Sequence, residues 1–185
     1  MRVFICSRNM VPLLWVCFGS LALIFSPWGS VPAPHLDLGV PGPLVPLRAV
    51  AVVAVGYLPL LALAPETRTP DVSSPRSAWL LQSLAPTVLT LVAAAAAAAG
   101  AAIAGVDALA AVRNLLLGTA AAASLHRAMG PLSFVPPILG ALLCAALREQ
   151  HAWWSITNQQ GTLPSFLIAL GLAAISLQFH ARRRT

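Results

Sequence analysis

Charged residues are scarce in this 185-residue chain: they make up 9% of it, against 58% hydrophobic residues. Lysine is absent, so every basic residue is an arginine, and only five carboxylates offset them to leave a net charge of +6. A soluble globular domain is about 25% charged. Since the few carboxylates form no cluster, most enzyme classes are excluded, and the composition indicates an integral membrane protein.

Long polar stretches are also absent, and six apolar segments take up nearly the whole chain. One helix needs about 20 mostly apolar residues to cross a bilayer. The sequence therefore predicts an all-α, polytopic integral membrane protein whose single domain is residues 1–185. Its six transmembrane helices are predicted at about residues 10–27, 44–64, 80–105, 107–130, 132–147 and 163–180. The connections are too short for a soluble domain, so any ATPase has to come from another chain.

The arginines are divided unevenly between the two sides of the predicted bundle. With a cytoplasmic N-terminus, only Arg48 and Arg148 flank outer ends of spans, and Arg113 falls inside a span. The inner ends carry all the others: Arg2, Arg8, Arg68, Arg76, Arg127 and Arg182–Arg184. By the positive-inside rule, both termini are predicted to be cytoplasmic, in a multi-pass protein of the inner (plasma) membrane. The net positive charge follows from this topology, and no nucleic-acid binding is expected.

Catalytic and metal-binding patterns are missing from the sequence. The four histidines are spread over loops and span ends, with no His-Glu-x-x-His and no Gly-x-Ser-x-Gly. His35 and Asp37 offer two metal ligands on one loop without a third nearby. We therefore expect no enzymatic activity, no metal and no cofactor.

A cluster of polar residues stands at the start of the fourth span. Asp107 opens the span, and Arg113 and Asn114 follow within two turns. Arg113 lies about 9 Å along the axis from Asp107, so its side chain can extend to the outer interface as an anchor. The alternative is an intramembrane polar site that faces a cavity, since charges inside membranes usually have a partner or a task. Asp107 and Asn114 are seven residues apart and share a helix face.

Small residues and prolines mark two further features of the spans. Ala93–Ala99 gives the third span a small surface that lets another helix approach closely, either within the chain or across a dimer. Compositional drift alone also explains such an alanine run. Pro59 in the second span and Pro136-Pro137 in the fifth are predicted to kink their helices.

The predicted cytoplasmic loop between the second and third spans, residues 65–78, is the segment best suited to hold a partner. Glu66 and Asp71 are the only acids predicted on the cytoplasmic side, and Arg68 and Arg76 lie among them. A short polar loop of mixed sign can dock into a groove on a partner protein. The alternative is a solvated connector.

This arrangement resembles the permease subunits of type-two ATP-binding-cassette exporters. In that family an acid near the end of span two precedes a Ser/Thr-x-Pro-x-Arg-like stretch, and Glu66 and Ser74-Pro75-Arg76 resemble these positions. Residues 111–118 and Trp153-Trp154 also resemble small actinobacterial membrane proteins of this kind. The resemblance implies a pathway formed by two permeases, as a homodimer or heterodimer. It also implies that a separate ATP-binding-cassette ATPase docks on a coupling loop that contains Glu66, Arg68, Asp71, Pro75 and Arg76.

The predicted function is therefore that of a membrane-spanning, permease-like subunit of an ATP-driven exporter. The alternative is a non-transporting structural or accessory protein that packs against another membrane complex through the alanine-rich third span. A proton-coupled carrier is disfavoured, because Asp107 is the one acid that approaches a span.

Overall fold

The computed structural model describes residues 10–33, 45–61, 75–146 and 160–182, and this part of the chain is helical without strands. Its α-helices are α1 (Met10–Ile24), α2 (Leu47–Val55), α3 (Leu58–Leu61), α4 (Pro75–Ile103), α5 (Ala108–Met129), α6 (Val135–Ala146) and α7 (Leu163–Arg182). Two 3-10 turns, Pro27–Ser30 and Gly130–Phe134, follow α1 and α5. The all-α class is confirmed for the described residues. Each of the six predicted spans corresponds to one α-helix, except the second span, which corresponds to the two short helices α2 and α3.

Proline positions account for several helix boundaries. The helical segment of the second span is interrupted at Gly56 and Tyr57, just before Pro59 in α3. In the fifth span Pro136 and Pro137 lie in the first turn of α6, where a missing N–H costs no helical hydrogen bond, and not in a helix interior. Helix α4 begins at Pro75, five residues before the predicted start at 80.

Helix α2 runs parallel to α5, the helix with which most of the bundle is in contact. Near the start of both helices the Asn114 amide nitrogen donates to the Ala49 carbonyl at 3.3 Å. At their other ends the Tyr57 hydroxyl donates to the carbonyl of Pro131, just beyond α5, at 3.0 Å. These contacts define two ends of the bundle, which we call the Asp107 end and the Tyr57 end.

Helix α7 is also parallel to α5. Before α7 begins, the Gly161 N–H donates to a carboxylate oxygen of Asp107 at 2.8 Å. Further along both helices the hydroxyls of Ser124 and Ser176 are 3.1 Å apart. Both α5 and α7 therefore run from the Asp107 end to the Tyr57 end.

The remaining helices α1, α4 and α6 run in the opposite direction. Tight turns join α4 to α5 and α5 to α6, with left-handed glycines at Gly105 (φ 66°) and Gly130 (φ 54°). Phe25 follows α1 and lies against Gly100 in the last turns of α4, so α1 and α4 end together at the Asp107 end. Consecutive helical segments thus alternate in direction through the described part of the chain.

The alanine-rich part of α4 packs inside the monomer. Ala93, Ala97 and Ala101 are fully buried, and the first two lie in one cluster with residues of α1, α2 and α5. Gly100 in the same stretch has room only for a hydrogen, since a Cβ there would lie 2.6 Å from the Phe25 ring. The close helix approach expected from this run is therefore intramolecular, and Ala95 and Ala99 are the exposed members.

Many large apolar side chains lie on the outside of the bundle, and many of the buried side chains are small. Large apolar side chains cover the outside, among them Trp15 (72% exposed), Trp28 (74%) and Ile103 (89%). Alanines make up half of the buried apolar side chains in the described part of the chain. The interior also holds six polar or charged residues: Thr90, Arg113, Asn114, Thr119, Ser133 and Ser165. In water, burial of large apolar side chains is the main stabilising contribution, and this fold leaves many of them outside.

Within residues 10–33, 45–61, 75–146 and 160–182, two helices are long and apolar enough to cross a membrane. They are Leu84–Ile103, with a mean hydropathy of 1.8, and Ala108–His126, with a mean hydropathy of 1.4. The other apolar helical segments are shorter, between 10 and 17 residues: Val11–Ile24, Leu47–Leu61, Gly130–Ala146 and Leu163–Phe179. The core helix of a soluble protein passes the same length and hydropathy test.

Candidate functional site

A cavity of about 300 Å³ opens at the Asp107 end of the bundle. Four segments meet there: the residue after α1, the start of α2, the turn between α4 and α5, and the first two turns of α5. Asp107 and Gly105 are exposed and lie at the rim, whereas Asn114 and Val52 are buried and line the interior. The remaining lining residues are Phe25, Pro46, Arg48, Ala49, Val106, Ala110 and Ala111.

Asp107 is the N-cap of α5 and also holds the segment before α7. One carboxylate oxygen accepts hydrogen bonds from the backbone N–H groups of Leu109 (2.8 Å) and Ala110 (3.2 Å). The other accepts the Gly161 N–H at 2.8 Å. The carboxylate therefore compensates the positive end of α5 and fixes one side of the cavity rim.

Arg113 is fully buried, so the expectation that its side chain extends to the outer interface is wrong. Its Nε and one terminal nitrogen donate to the Oδ1 of Asn114 at 3.1 and 3.0 Å. The Asn114 amide in turn donates to the Ala49 carbonyl of α2 at 3.3 Å. A buried charge of this kind needs such hydrogen bonds, because its desolvation is otherwise uncompensated.

Asp107 and Asn114 line the cavity together with Ala110 and Ala111, which confirms that they share one face of the helix. Arg113 does not line the cavity but is bonded to Asn114, which does. The three residues predicted as an intramembrane polar site thus lie close together, with different environments: an exposed carboxylate, a buried amide and a buried guanidinium.

Arg48 lines the cavity although it was not among the site residues predicted from the sequence. Its half-buried side chain lines the cavity from the first turn of α2. The available signal was that Arg48 and Asp107 were both predicted at the outer ends of spans. Arg48 and Asp107 line one cavity because α2 and α5 are neighbours. The spacing of apolar residues along the sequence does not indicate which helices are neighbours. Phe25 was missed for the same reason.

The predicted coupling loop lies mostly outside the described residues, which do not include Glu66, Arg68 and Asp71. Pro75 and Arg76 belong to the first turn of α4 and not to a loop. The described residues that flank the segment, Leu61 and Pro75, end α3 and begin α4. Both flanks belong to the Tyr57 end, opposite the cavity.

A second polar contact stands at the Tyr57 end, where His126 Nδ1 is 3.2 Å from the hydroxyl of Ser133. Ser133 is fully buried, so this pair attaches the 3-10 turn after α5 to the helix and offers no open nucleophile. Within the part of the chain that the structure describes, no three His, Cys, Asp or Glu side chains come together as a metal site requires.

Comparisons of the chain with protein-family models, with curated proteins and with solved structures found no match.

Proposed function

We propose that this chain is a multi-pass protein of the plasma membrane and acts as the membrane-spanning, permease-like subunit of an ATP-driven exporter. The observation that carries the membrane part of the proposal is the outer surface of the described residues: large apolar side chains face outward, while half of the buried apolar side chains are alanines and six polar or charged residues are buried with them. This distribution is favourable in a bilayer, where lipid tails cover the outer side chains and small residues allow close helix packing.

The directions of the helices support six crossings with both termini on one side. Successive helical segments alternate in direction, as a chain that crosses repeatedly has to do. The Asp107 end carries the turns after α1 and α4, which the arginine distribution predicts on the outside. The four shorter apolar helices are compatible with crossing where flanking turns and local thinning of the bilayer make up the length.

The export part rests on the positions of two features. A polar cavity opens at the predicted outer side, and the segment that resembles a coupling loop connects helices at the predicted inner side. A separate ATPase that binds Glu66–Arg76 would thus act on α4, which begins at Pro75 and reaches the Asp107 end. We propose that two such permeases, identical or different, form the complete pathway with the ATPase.

Cysteine labelling tests the topology. In a variant with Cys6, Cys17 and Cys144 replaced by alanine, single cysteines are placed at Ser30 or at Leu132, both exposed at opposite ends. We expect a membrane-impermeant maleimide to label Ser30→Cys in intact cells, and Leu132→Cys only after permeabilisation. Equal labelling of both positions in intact cells, or recovery of the protein in the soluble fraction, contradicts the proposed topology.

Affinity purification tests the exporter. We expect the tagged chain in mild detergent to bring along a nucleotide-binding ATPase in stoichiometric amount. The Glu66→Ala/Arg76→Ala double variant should lose most of it while still inserting into the membrane, because both charges would contact the partner. The Arg148→Ala/Glu149→Ala variant removes a similar pair on the predicted outer side and serves as the control, with unchanged recovery. Unchanged recovery with the first variant removes the coupling-loop assignment; recovery of a different membrane complex favours the accessory protein.

A further inference from the structure

Among the described residues, Arg48 is the charged side chain at the cavity that has no polar partner. It is half-buried, and no hydrogen bond or ion pair joins it to any other residue of the described part of the chain. The carboxylate of Asp107, by contrast, already accepts three backbone N–H groups. A partly desolvated guanidinium favours an oxyanion, to which it donates two parallel hydrogen bonds.

The start of α2 adds to the positive potential at Arg48. The N-cap of this nine-residue helix is Pro46, whose side chain forms no capping hydrogen bond. The Val31 carbonyl accepts the Leu47 N–H at 2.8 Å and compensates the positive end of α2 in part, but no side chain does so, whereas the Asp107 carboxylate compensates that of α5. An anion beside Arg48 would gain from both the guanidinium and the helix end.

Apart from the Asn114 amide and Asp107 at the rim, the other side chains that line the cavity are apolar. The ring of Phe25 is held against Gly100 on one side, and Val52 and Ala110 line the interior. A volume of about 300 Å³ lies at the lower end of the range for small-molecule sites. Asp107 at the rim repels a second negative charge on a ligand.

We infer that this cavity binds a small, singly charged amphiphilic anion: a carboxylate or phosphodiester at Arg48, carried on an apolar body that lies against Phe25. The inference deepens the proposed function, and rests on it, by naming the chemical class of the exporter's substrate. Two sources supply such a group. One is an anionic membrane lipid, and the other is a water-soluble organic acid.

Binding to the purified full-length chain in dodecyl maltoside tests the inference with four probes. Octanoate represents the soluble source, and acetate lacks its apolar body. Dioleoylphosphatidylglycerol represents the lipid source, and dioleoylphosphatidylcholine lacks the net charge. We expect saturable binding of octanoate or of phosphatidylglycerol, with a Kd at least about tenfold lower than that of its paired probe. Which probe binds identifies the source.

Three variants locate the binding. Arg48→Gln removes the charge, and Ala111→Leu fills the cavity without touching Arg48; each should raise the Kd at least about tenfold. Arg182→Gln removes one arginine at the Tyr57 end and should leave the Kd unchanged. Circular dichroism and elution volume check that the variants remain folded. A wild-type Kd in Arg48→Gln, acetate as tight as octanoate, or no saturable binding overturns the inference.

The binding assay contains no ATPase, so its result does not depend on whether the chain is part of an exporter. The anion site and the exporter function can therefore be contradicted independently. An ATPase recovered in co-purification with no binding of either probe leaves the exporter in place and removes the anion site. Saturable binding that depends on Arg48, with no ATPase recovered, establishes the site and removes its assignment as an exporter's substrate site.

Discussion

Replacement of Gly118 by alanine is expected to destabilise the bundle by at least about 2 kcal/mol, because it forces α5 away from α2. A Cβ on Gly118 would lie 2.2 Å from the Val53 carbonyl oxygen, which is much closer than van der Waals contact. Because this oxygen belongs to the backbone, it cannot move away by a change of side-chain rotamer. The neighbouring Thr119 hydroxyl donates to the Gly56 carbonyl at 2.9 Å, so separation of the helices also weakens a buried hydrogen bond.

Gly171→Ala is the matched control for this prediction. Gly171 lies within α7, and a Cβ there would meet no atom within 4 Å. In a helix interior alanine is favoured over glycine by about 0.5–1 kcal/mol, so this substitution should leave stability unchanged or raise it. The free energy of unfolding is measured by titration of dodecyl maltoside micelles with sodium dodecyl sulfate, followed by circular dichroism. Equal effects at Gly118 and Gly171 contradict the proposed contact between α5 and α2.

The glycine contact illustrates what the sequence could predict and what it could not. Helix positions follow from apolar composition, and all six segments were located to within a few residues of the observed helices. The face shared by Asp107 and Asn114 also follows, since it depends on helical period alone. Neither the contact of Gly118 with Val53 nor the cavity between Arg48 and Asn114 follows, because both depend on which helices become neighbours. Six helical segments without a polar seam or a repeat admit many arrangements.

Arg113 shows why the most plausible reading of a single residue failed. Its position two turns from the span end allowed the side chain to reach the interface, and a long flexible side chain usually takes that course. In the structure it turns inward because Asn114, the next residue, offers an oxygen that accepts two of its N–H groups. The sequence shows only that Arg113 and Asn114 are adjacent, and adjacency does not indicate whether either side chain is buried.

Substitution of Asn114 by leucine should be among the most destabilising changes in the chain. Arg113 is fully buried, and loss of the Oδ1 acceptor leaves a charged group with fewer hydrogen bonds where water cannot replace them. Hydrogen bonds to charged groups contribute about 1.5–3 kcal/mol each, so we expect a loss of about 3 kcal/mol or more. Arg113→Met alone should lower the stability by less, because the acceptor that loses its donors, the Asn114 Oδ1, carries no net charge.

The double variant separates this coupling from simple loss of packing. If the guanidinium and the amide stabilise each other, Arg113→Met/Asn114→Leu costs less than the sum of the two single changes, by about 1.5–3 kcal/mol. A cycle of Asn114→Leu with Ser133→Ala, at the Tyr57 end, should be additive, and additivity in both cycles contradicts the pairing. A positive coupling has a consequence for the cavity: Arg113 orients the Asn114 amide that joins α5 to Ala49 of α2. Since Ala49 follows Arg48, Arg113 would then act as a positioning residue for the cavity wall without lining it.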